Sequence, residues 1–431
     1  MPQTSSIADT DMTHEFDADI AVVGGGLAGA SLALAVAEVG LSVALIEARP
    51  FAVVDDPAAR ERTTALSYGT RVLFERLGLW PAIANSAEPI ETLHVSQKDS
   101  FGRVRVDAAE YDVPALGYVA ANAAMIEALQ DRLEAEPRVS VVAPATFEAL
   151  TEIDGGVALT LGCGDDTGAV RQTLTARLVV GADGANSSVR HALGIGAKHD
   201  EYDQRALITT LEPEKPHGGT AFERFTPDGP IAVLPRSAQS CALVWTLPPE
   251  RARELAAADT ATFEAELATQ FGTRLGALKL TGRRGSFPLA RTLCDSAVAR
   301  RSVLIGNAGH ALHPAAAQGF NLAVRDALTL AAHLTEQKHL AGADFDPGDP
   351  DWLAAWAEAR RPDQHRIANF TDLVVRTFSN RLPGLGMARG MALFGLSIAP
   401  TIRHDIARRS MGLAVAPALD DLMQSETGHG R

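Results

Sequence analysis

The chain has 431 residues, 46% of them hydrophobic and 21% charged, with a net charge of −14. That length exceeds one ordinary core and points to two or three packed units of soluble, globular composition. The acidic balance excludes nucleic acid and an anionic membrane surface as electrostatic partners, because phosphate is repelled. Residues 1–16 are polar and acidic, with neither a basic nor an apolar run, and are expected to be a flexible lead-in rather than a signal peptide. Asp19–Val23 reads as a buried strand, Ser31–Val39 as an Ala-rich helix and Ser42–Glu47 as a second strand: a βαβ unit. Thr64–Trp80 and Ala123–Glu134 read as helices. Val139–Val142, Thr151–Leu161 and Leu174–Val180 read as strands, with a turn at Asp154-Gly155-Gly156.

From Arg205 to Trp245 the pattern changes to short alternating runs: Ala206–Leu211, Ala221–Phe225, Ile231–Leu234 and Cys241–Thr246. This reads as an antiparallel sheet. Pro249–Phe271 is helical in composition, Ser302–Gly306 is a buried-strand pattern and Asn321–Leu334 is helical. Asp344–Asp351 reads as an acidic linker, and the remainder as helix with a break at Pro383–Gly386. The apolar segment Leu382–Val415 carries Arg389, Arg403, Arg408 and Arg409, which suits either an interfacial helix or ordinary packing. The three cysteines, Cys163, Cys241 and Cys294, form no CxxC pair and are odd in number. A disulfide framework is not expected, and a reducing compartment fits. No metal site is expected at His310 and His313, which have no cysteine or carboxylate close in sequence.

Three segments carry chemistry. Gly24, Gly26 and Gly29 form a GxGxxG after the first strand and at the start of a helix. That arrangement gives a tight turn, lets backbone approach a pyrophosphate and allows close helix packing, with the anion on the helix N-terminus at Leu27 and Ala28. Glu47, followed by Ala48, ends the next strand and is placed for ribose hydroxyls. Leu178–Val180 leads into Gly181-Ala182-Asp183-Gly184. Val303–Ile305 leads into Gly306-Asn307-Ala308-Gly309-His310, then His313-Pro314 and Gln318-Gly319-Phe320-Asn321-Leu322. Small residues with single polar side chains at strand ends mark ligand sites in open α/β sheets. Gln318-Gly319 opens a helix whose N–H groups suit an anionic flavin edge.

Together, in this order, these motifs resemble the class A flavoprotein monooxygenases, the family around p-hydroxybenzoate hydroxylase, from about Asp19 to about Asn380. Within it the chain resembles the ubiquinone-biosynthesis hydroxylases, most of all the octaprenyl-methoxyphenol hydroxylase branch. Arg62–Ser67 with Leu77–Trp80, Glu223–Pro230 with Leu234-Pro235, and the Gly306-Asn307 pair carry that finer likeness.

The resemblance implies an α/β fold: a FAD-binding Rossmann-like domain (17–90, 115–190 and 284–340), an inserted antiparallel-sheet substrate domain (91–114 and 191–283) and a helical C-terminal region (350–431). It implies FAD as cofactor, with Glu47 on the adenosine ribose, Arg62 along the FAD and Asn122 near the ribityl or pyrophosphate. Asp183 holds its turn beside the cofactor, Asn307 bonds a ribityl hydroxyl, and Pro314, Gly319, Phe320 and Asn321 pack around the isoalloxazine. Arg60, Ala121, Ala316 and Asn307 depart from the residues usual in relatives. The implied reaction is hydroxylation of a polyprenylated phenol with NAD(P)H and O2. A small soluble aromatic substrate, a non-catalytic flavin-binding subunit of a biosynthetic complex and a nicotinamide-only dehydrogenase remain alternatives. No residue assisting the phenol is identified; Tyr202 and Arg224 on the substrate sheet are weighed for it against structural roles. A cytoplasmic protein, or one peripheral at the inner membrane, is expected, with homo-oligomerisation open.

Overall fold

The computed structural model describes residues 16–50, 62–164, 170–313, 318–378, 390–391, 395 and 399–413. Five of the six residues of β1 (Ala18–Val23) are buried, the pattern of a strand covered on both faces. It lies between β2 (Val43–Ile46) and β11 (Val170–Gly181), parallel to both. Beyond β2 comes β8 (Val139–Val142), and beyond β11 come β19 (Ser302–Leu304) and β18 (Val298–Ala299). The outer half of β11 continues into an antiparallel extension through β10 (Gly156–Cys163) and β9 (Ala145–Ile153), joined by the expected turn, with Gly155 at φ +68°. Helix α1 (Leu27–Glu38) packs on this sheet with α4 (Asn122–Glu134) and α8 (Gly319–Ala341).

A second sheet runs in the order β20 (His310–Ala311), β17 (Gly285–Cys294), β12 (Ala197–Pro213), β15 (Ser240–Leu247), β14 (Gly229–Ser237), β13 (Thr220–Thr226), β5 (Thr92–Gln97) and β6 (Arg103–Asp107), with β16 (Leu278–Leu280) beside β12. It is antiparallel except for β13 and β5, which run parallel. One face is covered by α6 (Pro249–Ala257) and α7 (Thr260–Phe271), where Leu207, Ile231, Val233, Leu243 and Trp245 meet Phe263, Leu267 and Phe271. Residues 285–294, expected with the first unit, pair into this second sheet.

A small sheet of β3 (Thr63–Ser67), β7 (Gly117–Ala121) and β4 (Ala87–Ile90) sits between the two, and β14 packs against β4 and β7. The helix expected over Thr64–Trp80 is therefore corrected. Its first residues pair with β7, and the helices are α2 (Tyr68–Arg76) and α3 (Trp80–Ile83). Tertiary pairing overrides the local pattern here: Ser67 is the N-cap of α2, its side chain accepting from Thr70 N–H at 3.2 Å.

The acidic segment Asp344–Asp351 is not a free linker, since Arg301 grips Asp346 with two bonds of 2.8 and 2.7 Å. After it runs α9 (Pro350–Phe378), which crosses both large sheets. The expected break at Pro383–Gly386 lies outside the described residues. So does most of Leu382–Val415, apart from 390–391, 395 and a stretch containing α10 (Pro400–Ser410). Among the described residues no helix is long and apolar enough to cross a membrane.

Candidate active site

β1, β11 and β19 are parallel neighbours, so their C-terminal ends release three turns at one edge of the sheet. At the first, Gly24 has φ +108°, and a Cβ there would sit 2.5 Å from the Ala182 carbonyl oxygen. A Cβ on Gly29 would sit 2.0 Å from the Gly24 carbonyl oxygen. Both positions demand glycine for internal packing. Gly26 differs: it is exposed, its backbone is ordinary, and nothing lies within 4 Å of where its Cβ would be. It is the N-cap of α1, with no side-chain cap and no acidic residue in the first turn. The first-turn N–H groups at Leu27 and Ala28 are therefore without a side-chain cap, with a positive helix end behind them. Glu47 ends β2 beside this turn. It accepts the Gly25 N–H at 2.8 Å and, on its other oxygen, the Arg49 N–H at 3.1 Å, with Ala48 exposed between.

In the second turn one Asp183 oxygen accepts the N–H groups of Ser188 and Val189 at 2.7 and 3.1 Å, at the start of the short helix α5 (Ser188–Ala192). The other oxygen is buried with no hydrogen-bond partner among the described residues. Gly184 has φ +89° and open space around it. In the third turn Asn307 is exposed, next to Gly306 at φ +56°. The buried Arg190 joins the two turns, donating to the Ala185 carbonyl at 2.9 Å and the Ala308 carbonyl at 2.8 Å. Arg190 was not singled out from the sequence. A buried arginine that joins one carbonyl five residues away to another 118 residues away leaves no local signal.

The remaining expected residues divide. Arg62 is exposed, its guanidinium 5.0 Å from the Phe287 ring centroid, at the border of the two large sheets. Asn122 opens α4, and its side-chain oxygen accepts from the Thr64 hydroxyl at 2.7 Å. Asn321 is buried and is a structural clamp. Its oxygen accepts from Ser67 N–H and the Thr70 hydroxyl, both at 2.8 Å, and its amide donates to the Ala65 carbonyl at 3.0 Å. It thereby fixes the start of α8 to β3 and α2. Phe320 meets Phe74 edge-on at 6.2 Å. Gln318 precedes α8, which, like α1, has no side-chain cap and no acid in its first turn. Gly319 is part-exposed there. Pro314, Ala316 and Arg60 lie outside the described residues.

Below the third turn, His310 bonds Asp326 of α8. Burial alone would push the Asp326 carboxyl up, but His310 and Arg360 outweigh it and hold it well below the usual carboxylate range. His313 is buried, its ring edge-on to Tyr202 at 4.9 Å. Burial lowers its pKa to about 4, against a smaller opposing pull from Asp372. Tyr202 rides a bulge in β12 between Glu201 and Gln204, and its hydroxyl donates to Asp372 of α9 at 2.9 Å. Arg224 faces away from the site, its Nε donating to the Gln270 carbonyl of α7 at 3.0 Å. That removes it from consideration for the phenol.

The donor set fits FAD. An uncapped helix end with a Cβ-free approach suits a pyrophosphate, a carboxylate stands one strand away for a ribose, and an exposed carboxamide lies on the adjacent turn. A model of the FAD binding domain family matches residues 17–368. The chain belongs to that family. Its relatives include the ubiquinone hydroxylase UbiL of Rhodospirillum rubrum, 35% identical over 408 residues, which cover 94% of this chain and 92% of the relative. The 3-demethoxyubiquinol 3-hydroxylase of Escherichia coli is 34% identical over 403 residues, covering 92% and 98%. The solved p-nitrophenol 4-monooxygenase of Pseudomonas putida superposes with a TM-score of 0.72 at 19% identity, covering 91% of this chain and 98% of that one. The protein is thus a FAD-dependent monooxygenase of the ubiquinone-hydroxylase family. Among the described residues no group of His, Cys, Asp and Glu is arranged to hold a metal ion.

Proposed function

We propose that this monooxygenase hydroxylates the ring of a polyprenylated phenol in ubiquinone biosynthesis, with NAD(P)H as reductant and O2 as oxidant. One observation carries the substrate reading. The face of the second sheet turned away from α6 and α7 is apolar: Ile208, Ala232, Leu234 and Val244 keep partial exposure, while at its far edge Leu93 and Val95 pack against a cluster of Val104, Val106, Ala407 and Met411. On the opposite face Leu207, Ile231, Val233, Leu243 and Trp245 are fully buried. This face turns toward β4 and β7 of the small sheet, and its part-exposed apolar side chains offer a prenyl chain a surface to lie on. Each buried methylene of a prenyl tail would gain about 0.8 kcal/mol on such a surface.

In this reading the pyrophosphate lies on Gly26, Leu27 and Ala28, the adenosine ribose on Glu47 and the ribityl chain near Asn307. Asp183 and Arg190 hold the turns that carry them. Gln318, Gly319 and Phe320 border the isoalloxazine. Bound FAD supplies the activated oxygen, and the protein's task is to orient the ring and exclude water. The FAD-binding unit then comprises 17–90, 115–190 and most of 284–340, and the substrate unit 91–114 and 191–283.

The test is mass spectrometry of lipid-extracted quinones from a strain lacking the gene. Ubiquinone should fall, and a prenylated phenol one oxygen short should accumulate. An unchanged quinone pool, in a strain without a second such hydroxylase, would turn the reading toward a soluble aromatic. With purified holoenzyme, phenol-stimulated oxidation of NADH compared with NADPH identifies the reductant.

A further inference from the structure

We infer that Glu223 is the base that accepts the substrate phenol's proton as the ring is hydroxylated. The inference rests on the phenol-hydroxylase reading above and assigns the residue that reading lacks.

The geometry comes from strand alternation. Phe222 meets Phe271 of α7 edge-on at 5.9 Å, and Arg224 donates to the Gln270 carbonyl of the same helix. Both side chains of β13 therefore point to the helical face. Glu223, between them, points to the other. Its in-register neighbours are Ala232 on β14 and Val95 on β5, and the row continues to Val244, Ile208 and Val104. Glu223 is the one ionisable side chain in that row. Its side chain is part-exposed, yet enough protein surrounds it for burial to act on its carboxyl. Among the described residues its carboxyl has no hydrogen-bond or ion-pair partner.

A lone carboxyl in an apolar row is costly unless something arrives to use it. The row tells what arrives. Part-exposed apolar side chains suit an aromatic ring with an apolar tail, and the polar group such a molecule brings is its hydroxyl. The proton moves from the phenol oxygen to a Glu223 carboxylate oxygen. The phenol O–H bond breaks, a carboxyl O–H bond forms, and the negative charge passes into the ring, which becomes the stronger nucleophile toward the activated oxygen. The carboxylic acid afterwards returns its proton to solvent or product.

Burial raises the Glu223 pKa to about 7, and burial is its only cause. A base with that value is ionised in part at neutral pH while remaining basic enough to help a phenol. Charged and titratable groups on the surrounding elements do not contribute. Arg103 and Arg105 alternate away from Val104, and His94 turns to Phe222 and Arg274 on the helical face. On β4 and β7 the titratable groups are Glu88 and Tyr118, and on α10, whose Ala407 shares an apolar cluster with Val104, Arg403 pairs with Glu110 and Arg409 with Asp405. On α9, Arg360 and Asp363 are held in ion pairs and Asp372 is bonded by Tyr202.

The experiment compares wild-type, Glu223→Gln and Glu223→Asp holoenzymes, each checked for FAD content. The first readout is the pH profile of kcat/KM for a prenylated phenol. The second is the visible absorbance of a bound 4-alkyl-2-nitrophenol, whose phenolate is coloured. Wild type should gain rate with pH through about 7 and hold the probe as phenolate. Glu223→Gln should lose that limb, fall at least 100-fold in hydroxylation, and hold the probe protonated while NAD(P)H still reduces its flavin. Glu223→Asp should keep the limb at reduced rate, and it carries the test should Glu223→Gln fail to retain FAD. A Glu223→Gln enzyme with wild-type profile and probe ionisation overturns the inference alone. A wild-type enzyme that neither binds nor hydroxylates any phenol overturns the inference together with the reading beneath it.

Discussion

Two buried titratable groups in the site region act on stability with opposite signs. His313 is neutral when folded, its pKa lowered by burial from 6.5 to about 4. As pH falls below 6.5 the unfolded chain takes up a proton that the folded one refuses until about pH 4. Folding therefore weakens over that window, by about 3 kcal/mol in full. Glu223 runs the other way, its pKa raised by burial from 4.5 to about 7. As pH rises through that window the unfolded chain ionises first, and folding again weakens, by a similar amount of about 3 kcal/mol. In the wild type the two slopes offset one another between pH 4.5 and 6.5. Each variant uncovers the other residue's slope. Glu223→Gln should exceed wild type in stability at pH 8 by up to about 3 kcal/mol, with the gain down to about 1 kcal/mol at pH 5 and vanishing below pH 4.5. His313→Gln should gain over wild type at pH 5 and show no gain at pH 8. Urea unfolding at pH 5, 6, 7 and 8 measures both, and a Glu223→Gln difference that is independent of pH would show that the carboxyl is not buried. A residue that weakens the fold at working pH is the signature of a group held for chemistry.

At the scale of elements, the β1–α1 turn separates glycines that serve the fold from one that serves the ligand. Gly29→Ala puts a methyl 2.0 Å from a backbone oxygen and should both destabilise the apoprotein and abolish FAD retention. Gly26→Ala meets no protein atom within 4 Å. It should cost the apoprotein no more than about 1 kcal/mol, the loss of a glycine N-cap, and weaken FAD binding about 10- to 100-fold, because the new methyl otherwise can only crowd the pyrophosphate. Flavin fluorescence titration and apoprotein melting resolve the two, and a Gly26→Ala enzyme with full FAD affinity would move the pyrophosphate elsewhere. This turn was legible in the sequence because its signals are local: an apolar run, glycines at fixed spacing, a carboxylate at the next strand end. The same holds for the turns at Asp183 and Asn307. Nothing local marked Thr63–Ser67 as a strand, since its partner Gly117–Ala121 lies some fifty residues away. Nor did spacing tell that Asn321 would be used up on Ser67, Thr70 and Ala65, or that β13 would pair parallel to β5. Glu223 stood in a quoted motif, but its direction depends on Phe222 and Arg224 facing α7, which only the packed sheet reveals.

Across the whole molecule, α9 acts as a strap whose buried charges reach every layer. Arg360 donates to Asp326 of α8 at 2.9 Å and to Asp363 at 2.9 Å, and Asp363 accepts from Arg325 of α8 at 3.1 Å. Gln364 adds a bond to Asp326 at 3.1 Å, while the other Asp326 oxygen bonds His310 on β20, which belongs to the substrate sheet. Farther along, Asp372 holds Tyr202 at the β12 bulge and lies 3.8 Å from Arg291, which itself pairs with Asp200. The helix thus locks the FAD-side helices to the strands that carry the third turn. Breaking a buried pair leaves an uncompensated charge and costs about 3–5 kcal/mol. Asp326→Asn should cost near the lower end, about 3 kcal/mol, because Asp363 still pairs Arg360. Since the Asp326 carboxyl is held below its ordinary range, its contribution is complete above about pH 4 and disappears as acid protonates it. The gap between wild type and Asp326→Asn in urea unfolding should therefore be constant from pH 6 to 8 and begin to narrow only below about pH 4. The variant should also release FAD more readily, because His310 leads directly into the loop before α8. Equal stability at neutral pH would mean that desolvation cancels the ion pairs, leaving the strap to apolar contacts such as Trp352, Leu353 and Trp356.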